Sequence, residues 1–209
     1  MKYFLFALTI LLTLNVNSTF SQIQAQSSSN INNHDGFFLR MLLGFGQTDL
    51  TEEMDYGGDL KMSGVGTEFR VQIGGCVSEN LILFGDLGGV VVMSPNIEWA
   101  GNSTSSDNTS LTISEFGGGL TYYFMPENIY VSFSAVLPVA TIEFNTTKGE
   151  SKMGFGFFLS AGKEWWIAEQ WGLGAALYGS YGSMKDKGEF ADNAISTYSF
   201  GVAFSATLN

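Results

Sequence analysis

Six charged residues stand where a strand-forming chain would bring them to one side: Arg40, Glu68, Arg70, Asp86, Glu115 and Glu164. Each falls on the row of its segment that otherwise carries glycine, alanine and serine, because side chains alternate along a strand. Two guanidiniums and four carboxylates in a narrow space need one another, since an unpaired charge removed from water is costly. Two kinds of chemistry follow. A packed ion-pair network would fill the interior and fix its register. The same groups, rearranging, would gate a narrow path for ions. Arg40, Arg70 and Asp86 lie on three consecutive segments and form the tightest predicted group.

A second acidic set lies in "QTDLTEEMDYGGDLK", where Asp49, Glu52, Glu53, Asp55 and Asp59 face one lysine, Lys61. Clustered carboxylates can hold Ca²⁺, but this spacing is not that of an EF-hand loop. A solvated acidic tip is the plainer reading, so no metal and no cofactor are assigned. The only histidine, His34, precedes the first strand, which leaves Ser-His-Asp chemistry without a base among the strands. No catalytic residue is assigned, and the chain is read as a non-enzyme. The formal charge of −11 makes nucleic acid an unsuitable partner. Cys76 is the only cysteine, so no disulfide framework can form within the chain.

The elements that would position these groups are strands. Lys2 and the apolar run from Tyr3 to Leu14 read as an export signal over residues 1–21, with cleavage before Gln22 or after Ala25. Residues 22–35 are polar and aperiodic and read as a flexible leader. From residue 36 to residue 209 the pattern has period two. Val65, Thr67, Phe69, Val71 and Ile73 share one face, and Gly64, Gly66, Glu68, Arg70, Gln72 and Gly74 the other. Eight such segments are predicted, near 36–48, 61–77, 81–99, 109–125, 129–145, 151–168, 171–184 and 194–208. Tight turns at 78–80, 126–128 and 168–170 alternate with longer polar loops. That alternation is the plan of an all-β, eight-stranded antiparallel up-and-down barrel. Pro138 falls inside the fifth segment, where a bulge or a locally broken pair is expected.

The faces decide the solvent. A soluble barrel needs long charged side chains outside. Here the non-apolar face is mostly glycine, alanine and serine, which suits the interior of an eight-stranded barrel. The Phe/Leu/Val/Ile face then points at lipid, and closure satisfies every backbone group, as a bilayer demands. Tyr122, Phe124, Tyr130, Trp165, Trp166 and Trp171 cluster beside short turns and are predicted to form an interfacial aromatic girdle.

With these strands, "EWWIAEQWGLGAAL" and the terminal "YSFGVAFSATLN", residues 36–209 resemble the small bacterial outer-membrane barrels of the OmpX and OmpA membrane-domain kind. The resemblance implies a transmembrane barrel in the outer membrane of a Gram-negative-type cell, with both termini periplasmic. It implies outer-membrane lipid, lipopolysaccharide and the barrel-insertion machinery as partners. Such chains usually end in an aromatic residue that marks the last strand for insertion; this one ends Leu208-Asn209. Closure leaves no edge needing a partner strand, so a monomer is expected. The leading role is a non-catalytic structural or adhesion-type surface barrel binding an unknown ligand through its loops. The alternative is a narrow passive pore gated by the interior charges.

Overall fold

A computed structural model describes residues 34, 36–54, 58–105, 107–187 and 193–209. The export signal, the leader apart from His34, and Asp55 of the acidic set lie outside the described residues. The strands are β1 (Phe37–Glu52), β2 (Leu60–Ser78), β3 (Leu81–Met93), β4 (Asn96–Trp99), β5 (Asn102–Ser105), β6 (Thr109–Phe124), β7 (Ile129–Phe144), β8 (Thr147–Glu150), β9 (Phe155–Trp166), β10 (Trp171–Lys185) and β11 (Ala194–Leu208). Each long strand pairs antiparallel with its neighbour in sequence, and β1 pairs with both β2 and β11. The sheet is therefore a closed barrel of eight long strands, with β4, β5 and β8 as short additions at the long-loop end.

Closure needs close approach at the seam. Gly46 and Gly201 are partners across β1 and β11. A Cβ on Gly46 would lie 2.1 Å from the Phe200 carbonyl oxygen, and one on Gly201 2.3 Å from that of Phe45. Two of the tight turns use their amides for a backbone reason: Asn80 and Asn128 take φ of 60° and 55°, a region asparagine tolerates better than most residues.

Two predicted elements change. The third segment does not run to residue 99. It breaks at Ser94 (φ 51°) and Pro95, and Asn96–Trp99 joins the β4–β5 hairpin, which docks on Lys61–Ser63 of β2. Pro138 interrupts pairing on one side only. The β6–β7 ladder passes through Glu115↔Pro138 unbroken, whereas the β7–β9 ladder ends at Val136↔Gly156. On that side Pro138 has no N–H to give, and its carbonyl accepts a bond from the Gly154 N–H at 2.9 Å.

The wall is apolar outside. Leu177 is 67% exposed and Phe204 66%, while Arg40 and Arg70 are fully enclosed at 0%. This polarity holds over the short-turn half of the strands and then inverts. Gln47, Asp49 and Thr51 continue the outer row of β1 above Phe45, while Leu50 points inward. Ser110, Thr112 and Ser114 continue that of β6, while Leu111 and Ile113 are buried. Ser183 and Lys185 stand outside Met184 on β10, and Ser196 outside Ile195 on β11. The inward residues of this half form an apolar cluster with Met62, Val90, Val92 and Ala140. A second cluster, with Phe38, Ile82, Phe84, Tyr123 and Tyr130, fills the short-turn end.

Candidate functional site

Between the two apolar clusters lie the charges. Arg70 on β2 points inward between Glu68 and Gln72 of its own strand. Its Nε donates to Glu68 Oε1 at 3.1 Å, its Nη1 to Asp86 Oδ1 at 2.8 Å and its Nη2 to Glu115 Oε2. Its guanidinium lies 3.6 Å from the Phe158 ring centroid, close enough for a cation–π contact. Arg40 on β1 forms the second centre. It donates to Glu164 Oε1 at 3.2 Å, to Gln72 Oε1 and Thr121 Oγ1 at 3.3 Å, and to the Tyr123 hydroxyl at 2.5 Å. Tyr130 stacks under it at 3.9 Å. Glu164 also accepts from Tyr123 at 3.0 Å and from Thr207 at 2.7 Å.

Gln72 makes the two centres one. Its carbonyl accepts from Arg40 and its amide donates to Asp86 Oδ2 at 3.2 Å, which also accepts from Ser134. Arg40, Glu68, Arg70, Asp86, Glu115 and Glu164 thus share one network in the lumen. Its members come from every barrel strand except β10. The opposite wall at this level is filled by Leu42, Phe158, Tyr178 and Ala203. Such an arrangement can brace the barrel. Moving Glu164 strands the Arg40 guanidinium and moving Arg70 strands three carboxylates, so the network also resists rearrangement. Gln72, Thr121, Tyr123, Ser134 and Thr207 escape a search for charges alone. Their inward parity and their level on the strands are the signals that place them here.

The aromatic set divides. Tyr122, Phe124, Trp165 and Trp171 lie exposed on the outer wall. Tyr130 and Trp166 do not belong to that girdle, because parity turns them inward. Tyr130 sits between outward Ile129 and Val131, and Trp166 follows outward Trp165. At the short-turn end Trp166 meets His34, with ring centroids 5.1 Å apart. His34 is buried rather than part of a flexible leader. It stacks on Tyr123 at 3.4 Å, and its two ring nitrogens lie 2.8 Å from Asn209 Oδ1 and Asn128 Oδ1.

The acidic set also disperses, because β1 continues to Glu52 instead of ending before the loop. Asp49 stands on the outer row and accepts from Gln47 at 3.1 Å. Glu52 turns inward, is 8% exposed and accepts from Asn193 at 3.0 Å. Glu53 is exposed beyond the strand end, and Asp59 borders a cavity on the far side of the loop. Among the described residues no group of three or more His, Cys, Asp or Glu side chains converges as metal ligands do.

An apolar wall around a closed meander, with polar loops at one end, defines the class: a small eight-stranded antiparallel β-barrel of the outer-membrane type. Among solved structures the chain is similar to the outer membrane protein OprG from Pseudomonas aeruginosa, with a TM-score of 0.51 and 9% identity, covering 86% of this chain and 99% of that one. It is similar to Neisserial surface protein A with a TM-score of 0.49 and 14% identity, covering 81% and 96%. Ail, the attachment invasion locus protein of Yersinia pestis, gives 0.38 and 13%, covering 82% and 99%. At 9% identity the likeness to OprG is one of fold. No protein-family model and no curated protein matches the chain.

Proposed function

We propose that this protein is a non-catalytic integral barrel of the outer membrane that acts through its extracellular surface and does not conduct. Both termini and the short turns face the periplasm in this reading, and the long loops face outward, following the usual asymmetry of such barrels. The observation that carries it is the filled lumen. Apolar side chains close the long-loop mouth, the paired charges occupy the middle, and aromatic rings with His34 occupy the short-turn end. A continuous water path is what transport needs, and these three buried layers support a barrel without one. The exposed apolar wall supports the membrane, since a soluble protein rarely leaves so continuous a patch in water. Against catalysis stands the position of the lone histidine, held by two asparagines and a tyrosine ring at the end opposite the loops. The test is single-channel recording in planar bilayers. The expected trace is silent for the wild-type protein. Reproducible ohmic steps would overturn the reading in favour of the passive pore.

A further inference from the structure

The long-loop face carries an open cavity of about 420 Å³ between the start of β2 and the β4–β5 hairpin. Asp59, Lys61, Glu98, Trp99, Asn102 and Ser103 line it. We propose that this cavity is a binding site for an uncharged, hydroxyl-rich saccharide, with Trp99 as the stacking platform. The proposal rests on the reading of a barrel that acts through its outer surface, and it names the chemistry of one site there.

The sheet holds the site in place. Lys61 faces Glu98 across the β2–β4 ladder, and Trp99 faces Asn102 at the head of the hairpin. The two turn residues, Ala100 and Gly101, take φ of 49° and 79°, as tight two-residue hairpins require. The indole is therefore carried on paired strands rather than on a free loop tip.

Trp99 is 53% exposed and is the only tryptophan at this end; Trp165, Trp166 and Trp171 lie at the short-turn end. It does not serve as an interfacial anchor. The apolar outer row of β2 ends at Val65, while the hairpin docks at Lys61–Ser63, with Glu98 level with Lys61. At about 3.3 Å per residue, Trp99 stands roughly 13–16 Å farther along the strand than that edge.

Ser103 donates to Asn96 Oδ1 at 2.9 Å and Asn102 to the Ala100 carbonyl at 3.5 Å, but the charged groups of the lining are unsaturated. In the interior network each charge has a partner. Here, among the described residues, Asp59, Lys61 and Glu98 form no ion pair or side-chain hydrogen bond, although Lys61 and Glu98 are cross-strand partners. A saccharide offers what this set lacks. Its C–H face lies against an aromatic plane, and its hydroxyls donate to carboxylates and accept from an ammonium or an amide. The volume falls within the range of small-ligand sites, roughly 300–1,000 Å³. Two carboxylates against one lysine disfavour sulfated or otherwise anionic sugars, by like-charge repulsion.

The test is calorimetric titration of the full chain, folded in bicelles free of lipopolysaccharide, with maltotriose, lactose and chitotriose, and with a sulfated heparin oligosaccharide as the anionic control. At least one uncharged sugar is expected to bind, and the sulfated one to bind no better. Trp99→Ala should weaken binding about tenfold or more, and Glu98→Gln several-fold, with heat-modifiable gel mobility unchanged in both. No heat from any uncharged sugar, tighter binding of the sulfated one, or undiminished binding by Trp99→Ala overturns the proposal. Repeating the titration in bicelles containing lipopolysaccharide distinguishes the sources. Competition assigns the site to sugars of the protein's own leaflet, and undiminished binding assigns it to glycans beyond the cell. Conductance tests the closed barrel and sugar binding tests the cavity, so failure of one is distinct from failure of the other.

Discussion

Replacing Arg70 by methionine keeps most of the volume and removes the charge. Three carboxylates, Glu68, Asp86 and Glu115, then face one another in the lumen without the cation that now bonds to all of them. Removing one partner of a buried ion pair typically costs about 3–5 kcal/mol, because the other is left unpaired. Here one guanidinium serves three acids, so about 3–5 kcal/mol is the lower bound for Arg70→Met. That is a large part of the stability of an ordinary domain, about 5–15 kcal/mol. The same physics makes a second, less obvious prediction. If orphaned charge is the origin of the loss, neutralising the acids should restore stability. The quadruple variant Arg70→Met, Glu68→Gln, Asp86→Asn, Glu115→Gln should return to within about 1 kcal/mol of wild type, since neutral replacement of a buried ionic set is often tolerated. Gln72 and Ser134 can still donate to the amide that replaces Asp86. Urea unfolding from phospholipid vesicles, followed by tryptophan fluorescence, measures both variants. Rescue of folding by the quadruple variant remains readable even where Arg70→Met alone fails to fold. The reasoning is refuted if Arg70→Met stays within about 1 kcal/mol of wild type, or if the quadruple variant is no more stable than the single one.

Gly46→Ala should weaken the seam by about 1–3 kcal/mol, the usual effect of overpacking, because its new methyl group meets the Phe200 carbonyl. Gly149→Ala, where a Cβ meets nothing within 4 Å, should leave urea unfolding unchanged; equal losses for the two would remove the close-approach argument. Leu177→Arg, in the middle of the outer wall, should lower stability in vesicles by about 2–4 kcal/mol, as arginine does at a bilayer midplane. Thr112→Arg, on the outer row above the inversion, should have almost no effect. A harmless Leu177→Arg would mean that this wall does not face lipid.

The fold was legible because two periodicities agreed. Strand period and turn spacing both demanded a meander, and the glycine-rich row demanded a narrow interior. The inward charges were legible for the same reason, since a guanidinium among glycines on one strand face has nowhere else to go. What escaped was information carried by parity and level together. Trp165 and Trp166 are adjacent, so one had to turn inward, and Tyr130 lies between two wall residues. The end of β3 escapes a reading of strand period alone, although Pro95 marks it, since proline is a poor interior strand residue. The hydrogen-bonding partners of the network escaped because Gln72, Thr121 and Ser134 carry no charge. Only closure of the sheet brings β2, β6 and β7 around one guanidinium layer.

The inversion of polarity decides where the bilayer ends. Trp171 and Tyr181 stand on the outer row of β10, at positions 171 and 181. At about 3.3 Å per residue their separation is about 33 Å along the strand. With the usual tilt of about 40° this becomes about 25 Å of height, the thickness of an outer-membrane apolar band. On β9, β10 and β11 paired rings mark the edge, while Met93 on β3 and Phe155 on β9 extend the exposed apolar row beyond it. Tyr181 pairs with Phe157 and with Tyr198, the rings 5.4 and 5.0 Å apart, and Trp171 pairs with Leu208. Above the Tyr181 level, Ser183 and Lys185 replace apolar residues outside, and Met184 and Ile195 join the apolar plug inside. One strand therefore serves two solvents in turn. Within the band water is absent outside, so apolar groups face out and the few charges must pair within. Above it water returns, and the ordinary rule of an apolar core and a polar surface resumes. The long-loop half is thereby a packed stub with its own core. The hairpin bearing Trp99 is docked on that stub, so its geometry is set before any ligand arrives.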